Sequence, residues 1–365
     1  MNLISGMPLR SCLFLLATGA VLVTAPLAAA QPCARWLDGL GVSGVSEPAR
    51  AAAAWDPDGP GPRPSGFVVG GRFDLAGDVP ARAVAFWDGE RWEAMGDPLG
   101  QSATAVAVLD GRLFIAGLAP DGSGNTRVLE RTGAGWTPVG GDFSGTVDAL
   151  TLFQGRLIGA GTFASAGGTT AANIAAWNGT AWEPLGAGVS GSTFEAVTSL
   201  VVHDGRLIVG GTFTSAGGEP ASRIAAWDGS AWSTLGAGVD SGVQALAVFE
   251  GDLVVGGSFS SAGGLPLARV ARWDGAAWSD LDAAGVRPAG GFVYDITPDG
   301  AGLIVSGDFR TIGGVNVDGV ARYENGVWTP LAGRTTLTNT AVLEVVVDGG
   351  RLLAAGGFRS LGGSQ

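Results

Sequence analysis

Short apolar stretches broken by glycine-containing turns run through the chain, and their period is that of strands. One stretch, Val243-Gln244-Ala245-Leu246-Ala247-Val248-Phe249, alternates sides and is followed by a Glu250-Gly251 turn. Leu253-Val254-Val255 comes next and ends on glycines. Arg269-Val270-Ala271-Arg272-Trp273 and a segment around Trp278 complete a unit that predicts four short strands. Helical periodicity is absent from residues 31–365. Asp274-Gly275 sits between the last two strands, with equivalents at Asp88-Gly89, Asn178-Gly179, Asp228-Gly229 and Asn325-Gly326, a strong hairpin signal.

The unit repeats. A Gly-x-Phe element recurs every 44–50 residues, with its aromatic at Phe73, Phe163, Phe213, Phe259, Phe309 and Phe358 and a degenerate copy at Gly117-Leu118-Ala119. A tryptophan recurs in step at Trp92, Trp136, Trp182, Trp232, Trp278 and Trp328, and Trp36 makes a seventh. Either hairpin register places Trp227 and Trp232 on one face, because strand side chains alternate with period 2. They are expected to pack between adjacent units, as are Trp87/Trp92, Trp177/Trp182, Trp273/Trp278 and Tyr323/Trp328. Arg131 stands opposite Trp136 in the second unit, where looser packing is expected.

Four-stranded units of this length predict an all-β fold, a seven-bladed β-propeller of four-stranded blades. The two elements are out of phase, so the ring is expected to close by pairing the N- and C-terminal segments, with the strand around Trp36 completing the last blade. The chain stops at Gly362-Gly363-Ser364-Gln365, before the third strand of that blade, which suggests a shortened blade or a C-terminal truncation.

Leu207-Ile208-Val209-Gly210-Gly211, then Trp227-Asp228 and Trp232, resemble the kelch repeat. The Gly-x-Phe-x-Ser-x-Gly-Gly and Ile-Ala-x-Trp-Asp-Gly pattern is similar to the kelch-like repeats of exported bacterial proteins and of Rax2-type cell-surface proteins. The resemblance covers residues 33–365 and implies a propeller; both binders and enzymes share that fold.

Residues 1–30 carry Arg10 as their one charge, an apolar run from Cys12 through Leu27, and Ala28-Ala29-Ala30 before Gln31-Pro32. This reads as a secretory signal peptide, with residues 31–365 forming the propeller. Thr18, Gly19, Thr24 and Pro26 interrupt the run, so no membrane span is expected in the mature chain, which is placed outside the cell, on its surface or in the periplasm. Cleavage would remove Arg10 and no acid, taking the net charge from −12 to −13, and would leave Cys33 alone. With no lysine and so acidic a balance, nucleic acid is not an expected partner.

Candidate chemistry is sparse. His203, the one histidine, falls in a turn where other copies carry Leu109, Gln154 and Phe249, and reads as an exposed loop residue. The copper radical oxidases, which resemble this fold, need paired Tyr and His ligands; this chain has Tyr294, Tyr323 and one histidine. The repeated Asp of the hairpins reads as a turn residue. Asp56 and Asp58, in the one clear insertion Trp55-Asp56-Pro57-Asp58-Gly59-Pro60-Gly61-Pro62, could offer oxygens to Ca²⁺, against the plainer reading of a rigid loop. Arg287, Tyr294, Asp295 and Arg334 have no equivalents in other copies and are assigned to variable inter-blade loops, as contact candidates.

No catalytic residue, cofactor or metal site is assigned. The sequence points to a monomeric, non-catalytic scaffold for an extracellular protein. A carbohydrate-binding propeller is the alternative, provided its tryptophans are exposed, and a propeller enzyme ranks third.

Overall fold

The computed structural model describes residues 2–3, 45–133, 135–191, 196–281, 291–317, 319–331 and 341–356. Strands and turns account for these residues, and no helix occurs among them. Six four-stranded antiparallel sheets follow one another, each with its strands in chain order. In the fourth these are Val197–His203, Arg206–Gly211, Ile224–Trp227 and Trp232–Thr234. A further hairpin, Val342–Asp348 with Arg351–Gly356, follows the sixth. Asn2–Leu3 pairs with Leu353–Ala354, beside the second strand of that hairpin. These sheets are the blades of a β-propeller, as the repeat predicts. Trp36 and Phe358 lie outside the described residues.

Two kinds of turn build each blade. Glu250 (φ 53°) and Gly251 (φ 88°) form a two-residue turn of left-handed residues between the first and second strands, and Asp204-Gly205 and Gln154-Gly155 do the same. The Asp228-Gly229 hairpin is longer. Its residues 228–231 loop out, Trp227 pairs directly with Trp232, and the Asp228 Oδ1 accepts the N–H groups of Ser230 (2.7 Å) and Ala231 (2.8 Å). Asp88, Asn178 and Asp274 hold their loops in the same way. Each carboxylate or amide oxygen satisfies loop N–H groups, which accounts for the recurrence of Asp or Asn there. Asn325-Gly326 instead makes a true two-residue turn, Glu324 pairing with Val327.

The second strand of each blade is buried on both faces. In the fourth blade Leu207 and Val209 pack into an apolar cluster with the third blade, and Ile208 packs with the fifth. Its terminal glycines have separate steric causes. A Cβ on Gly210 would come within 2.5 Å of Val243 on the next blade, and one on Gly211 within 2.0 Å of the Ala196 carbonyl oxygen. The Gly-Gly pair therefore admits a neighbouring side chain at one residue and a backbone at the next. The described phenylalanines of the Gly-x-Phe elements fill the interior; Phe73, Phe213, Phe259 and Phe309 are fully buried.

Similar clusters join each successive pair of sheets. One of them contains Ala49, Phe67 and Trp87 of the first sheet together with Leu353 and Ala355 of the last hairpin. At the same junction Arg351 Nη2 donates to the Ser65 carbonyl oxygen at 2.8 Å, and Ser65 Oγ donates to Asp348 at 2.9 Å.

Candidate functional site

All seven first strands carry a register shift at the equivalent place. The pairings break between Ala49/Ala51, Ala103/Ala105, Val147/Ala149, Val197/Ser199, Val243/Ala245, Val293/Asp295 and Val342/Glu344. One residue is extra at each shift, as in a β-bulge, which bends the strand and re-aims a side chain. The residue before each bulge is a buried Ala or Val that anchors the strand. The bulged residues are Arg50, Thr104, Asp148, Thr198, Gln244, Tyr294 and Leu343, and all line one cavity of about 280 Å³. The rest of each unit repeats, whereas this position varies.

The residues after the bulges are small in five strands and acidic in two, Asp295 and Glu344. Glu344 Oε2 accepts the Ala52 N–H at 2.7 Å, and Asp295 Oδ2 accepts the Val345 N–H at 2.8 Å. Thr104 and Thr198 donate their hydroxyls to the carbonyls of Val147 and Val243 on the following strands. Side chains thus tie neighbouring first strands together around the cavity.

Its electrostatics follow from a narrow polar space walled by protein. Loss of solvation raises the Asp148 carboxyl, against the Thr146 hydroxyl and the charge of Arg50. Desolvation also raises Asp295, opposed by its N–H and hydroxyl donors. Glu344 is raised well above the ordinary glutamate range, first by desolvation and then by the charge of Asp295. Water reaches all three side chains, which are half-buried, but protein surrounds them closely enough to disfavour their charge. Such a lining offers hydrogen-bond donors and acceptors to a polar group entering the cavity.

Tyr294 and Asp295 line this cavity together, on the strand Val293–Asp299; the sequence had assigned them to an inter-blade loop. The Tyr294 hydroxyl lies 3.4 Å from Asp308, and desolvation followed by that charge raises its pKa. Arg287 and Arg334 lie outside the described residues. Sequence reasoning missed Arg50, Thr104, Asp148, Thr198, Gln244 and Glu344. Aligning the first strands of the copies would have exposed them, as a variable column beside a constant Ala or Val.

Other expectations meet the structure differently. His203 is 4% exposed, and its Nε2 lies 2.9 Å from the Gly251 carbonyl oxygen of the next blade. The exposed turn residue is in fact a buried inter-blade contact, because the side chain points back from the end of its strand. In the insertion, Asp56 Oδ1 accepts the Asp58 N–H at 3.3 Å and Asp58 Oδ2 accepts the Arg63 N–H at 3.2 Å. These carboxylates shape their own loop. Among the described residues no group of three or more His, Cys, Asp or Glu gathers at one point.

The tryptophans pack as expected. Trp227 and Trp232 have ring centroids 5.3 Å apart, and Trp273 and Trp278 are 5.2 Å apart. Several indoles also donate to the preceding blade, Trp182 to Val139, Trp232 to Leu185 and Trp278 to Leu235. Trp92, Trp182, Trp278 and Trp328 are buried, while Trp136 and Trp232 are partly so. The four buried tryptophans offer no open ring face for sugar stacking.

Blades built in this way define the class of the protein, a β-propeller with a polar cavity lined by the first strands of its sheets. Residues 203–225 match the model of a family described as a domain of unknown function (DUF5122) beta-propeller. No curated protein matches the chain. Among solved structures, a chain in the crystal structure of the mitotic checkpoint complex is similar at 14% identity and a TM-score of 0.49, covering 96% of this chain and 100% of that one. The WD40 β-propeller domain of Doa1 is similar at 12% identity and a TM-score of 0.40, covering 77% and 94% respectively. No helix among the described residues is long and apolar enough to cross a membrane.

Proposed function

We propose that this protein is an exported, seven-bladed propeller of kelch-like repeats that acts as a non-catalytic scaffold, gripping a protein partner at the mouth of its inner channel. One observation carries the reading. Repeated blades hold seven bulged positions in register, and those positions bear six kinds of side chain differing in charge and size, Arg50 through Leu343. A repeat that keeps its frame and varies its lining presents a surface suited to one partner.

The contacts of the last hairpin with the first sheet, Glu344 to Ala52 and Arg351 to Ser65, support closure of the seven units into a ring. Export rests on the leader-like composition of residues 1–30, whose cleavage would free the edge paired by Asn2–Leu3 for the segment around Trp36.

The test is retention of partners from the medium of the producing cells on immobilised protein. Pre-digestion of the medium with protease should abolish saturable retention, and glycosidase treatment should leave it intact. Loss on glycosidase treatment alone, with saturable binding on a glycan array, would make the protein a lectin and overturn the proposal.

A further inference from the structure

Two departures from the repeat meet at one groove. The insertion that lengthens the first hairpin of the first blade carries Pro57 and Arg63. In the second blade Arg131 occupies the place held by Trp87, Trp177, Trp227, Trp273 or Tyr323 elsewhere. These residues line the same groove of about 450 Å³, together with Trp55, Glu93 and Arg112. That is the size of a small-molecule site.

Its charges are unequal. Arg63 pairs with Glu93 at 2.7 Å, and Arg112 makes a two-pronged contact with Glu130. Arg131 forms no ion pair with any described residue. Its Nη1 donates to the Met95 carbonyl oxygen at 3.1 Å, and its guanidinium lies 5.2 Å from the Trp136 ring centre. Desolvation, then the nearby charge of Arg63, lowers its pKa, as expected for a cation without a counter-ion. In a chain of net charge −12, whose other groove arginines are matched, this is one uncompensated positive charge.

A guanidinium without a counter-ion suits one negative charge of planar geometry, which a carboxylate supplies. A phosphate dianion would bring a second charge against Glu93. The half-buried Trp55, which meets Phe86 edge-on at 5.6 Å, gives the groove a flat wall for the body of the ligand. Asp58, by accepting the Arg63 N–H, folds the inserted loop over this side. We propose that the groove between the first and second blades binds a small organic monocarboxylate of about sugar-acid size, its carboxylate on Arg131 and its body against Trp55.

Isothermal titration with glucuronate, glucose and inorganic phosphate tests this on the full chain. Glucuronate should bind saturably, glucose should not, and phosphate should bind more weakly than glucuronate. Arg131→Trp restores the aromatic of the other copies, so it should keep the melting temperature and weaken glucuronate at least tenfold. Arg131→Gln is the second variant, should the tryptophan pack badly, with the same expected loss. Failure of glucuronate to bind, preference for phosphate, or undiminished binding in the folded variants would overturn the proposal.

Discussion

Glu344 accepts the backbone N–H of Ala52 at 2.7 Å, joining residues 292 positions apart in sequence. The bond sits where the last hairpin meets the first sheet, beside the raised carboxyl of Asp295. The junction between the two ends of the fold thus contains a carboxyl that resists ionisation.

Stability should depend on pH accordingly. Between the ordinary glutamate pKa of about 4.3 and the raised value in the fold, the folded chain holds a proton that the unfolded chain has released. More protons bound in the folded state means that stability falls as pH rises through that window, and the loss is complete above the folded pKa. Glu344→Gln keeps an acceptor for Ala52 and removes the charge. Its melting temperature should exceed that of the wild type at pH 7 and converge with it near pH 4. Equal values at pH 7 would mean that Glu344 ionises without cost.

Trp232 packs on Trp227 and donates from its indole to Leu185 of the preceding blade. Replacing it with alanine leaves a void and orphans that carbonyl, at a cost of about 3 kcal/mol. Urea unfolding of the two proteins measures the difference. A loss near zero would show that the ring contributes nothing between blades.

Gly211 has no room for a side chain, since a Cβ would approach the Ala196 oxygen to 2.0 Å. Gly211→Ala should cost about 2 kcal/mol through backbone displacement. The same substitution at Gly275, in an exposed hairpin loop with open space around a Cβ, serves as the comparison, where the cost is one of left-handed conformation (φ 97°).

His203→Ala should destabilise by about 2 kcal/mol, because a buried side chain is removed together with its contact to the Gly251 carbonyl of the next blade. Loss of amide protection between the fourth and fifth blades by hydrogen exchange would locate the effect. An unchanged exchange pattern would return His203 to the surface role its turn-like sequence suggests.

The blades were legible because their information is local. Alternating apolar residues, Asp or Asn at the turns and paired tryptophans each follow from contacts within one repeat or with its neighbour. The channel was harder to read, because a bulge at Gln244 or Asp148 leaves the apolar alternation nearly intact, and seven dispersed residues meet only in three dimensions. Tyr294 and Asp295 were noticed for lacking equivalents, yet their strand begins immediately after a variable connection and was taken as part of it. His203 misled for a related reason: a residue beside Asp-Gly reads as exposed, whereas its side chain turns back into the next blade.

The most direct test of the binding account compares partner retention by wild-type protein with that by Arg50→Ala/Gln244→Ala/Tyr294→Ala. These side chains line the channel and lie outside the apolar clusters, so the variant should melt within a few degrees of the wild type. The account predicts that the folded variant loses at least nine-tenths of the partner retained. Full retention would place the binding surface elsewhere on the propeller and contradict the claim that the bulged ring selects the partner.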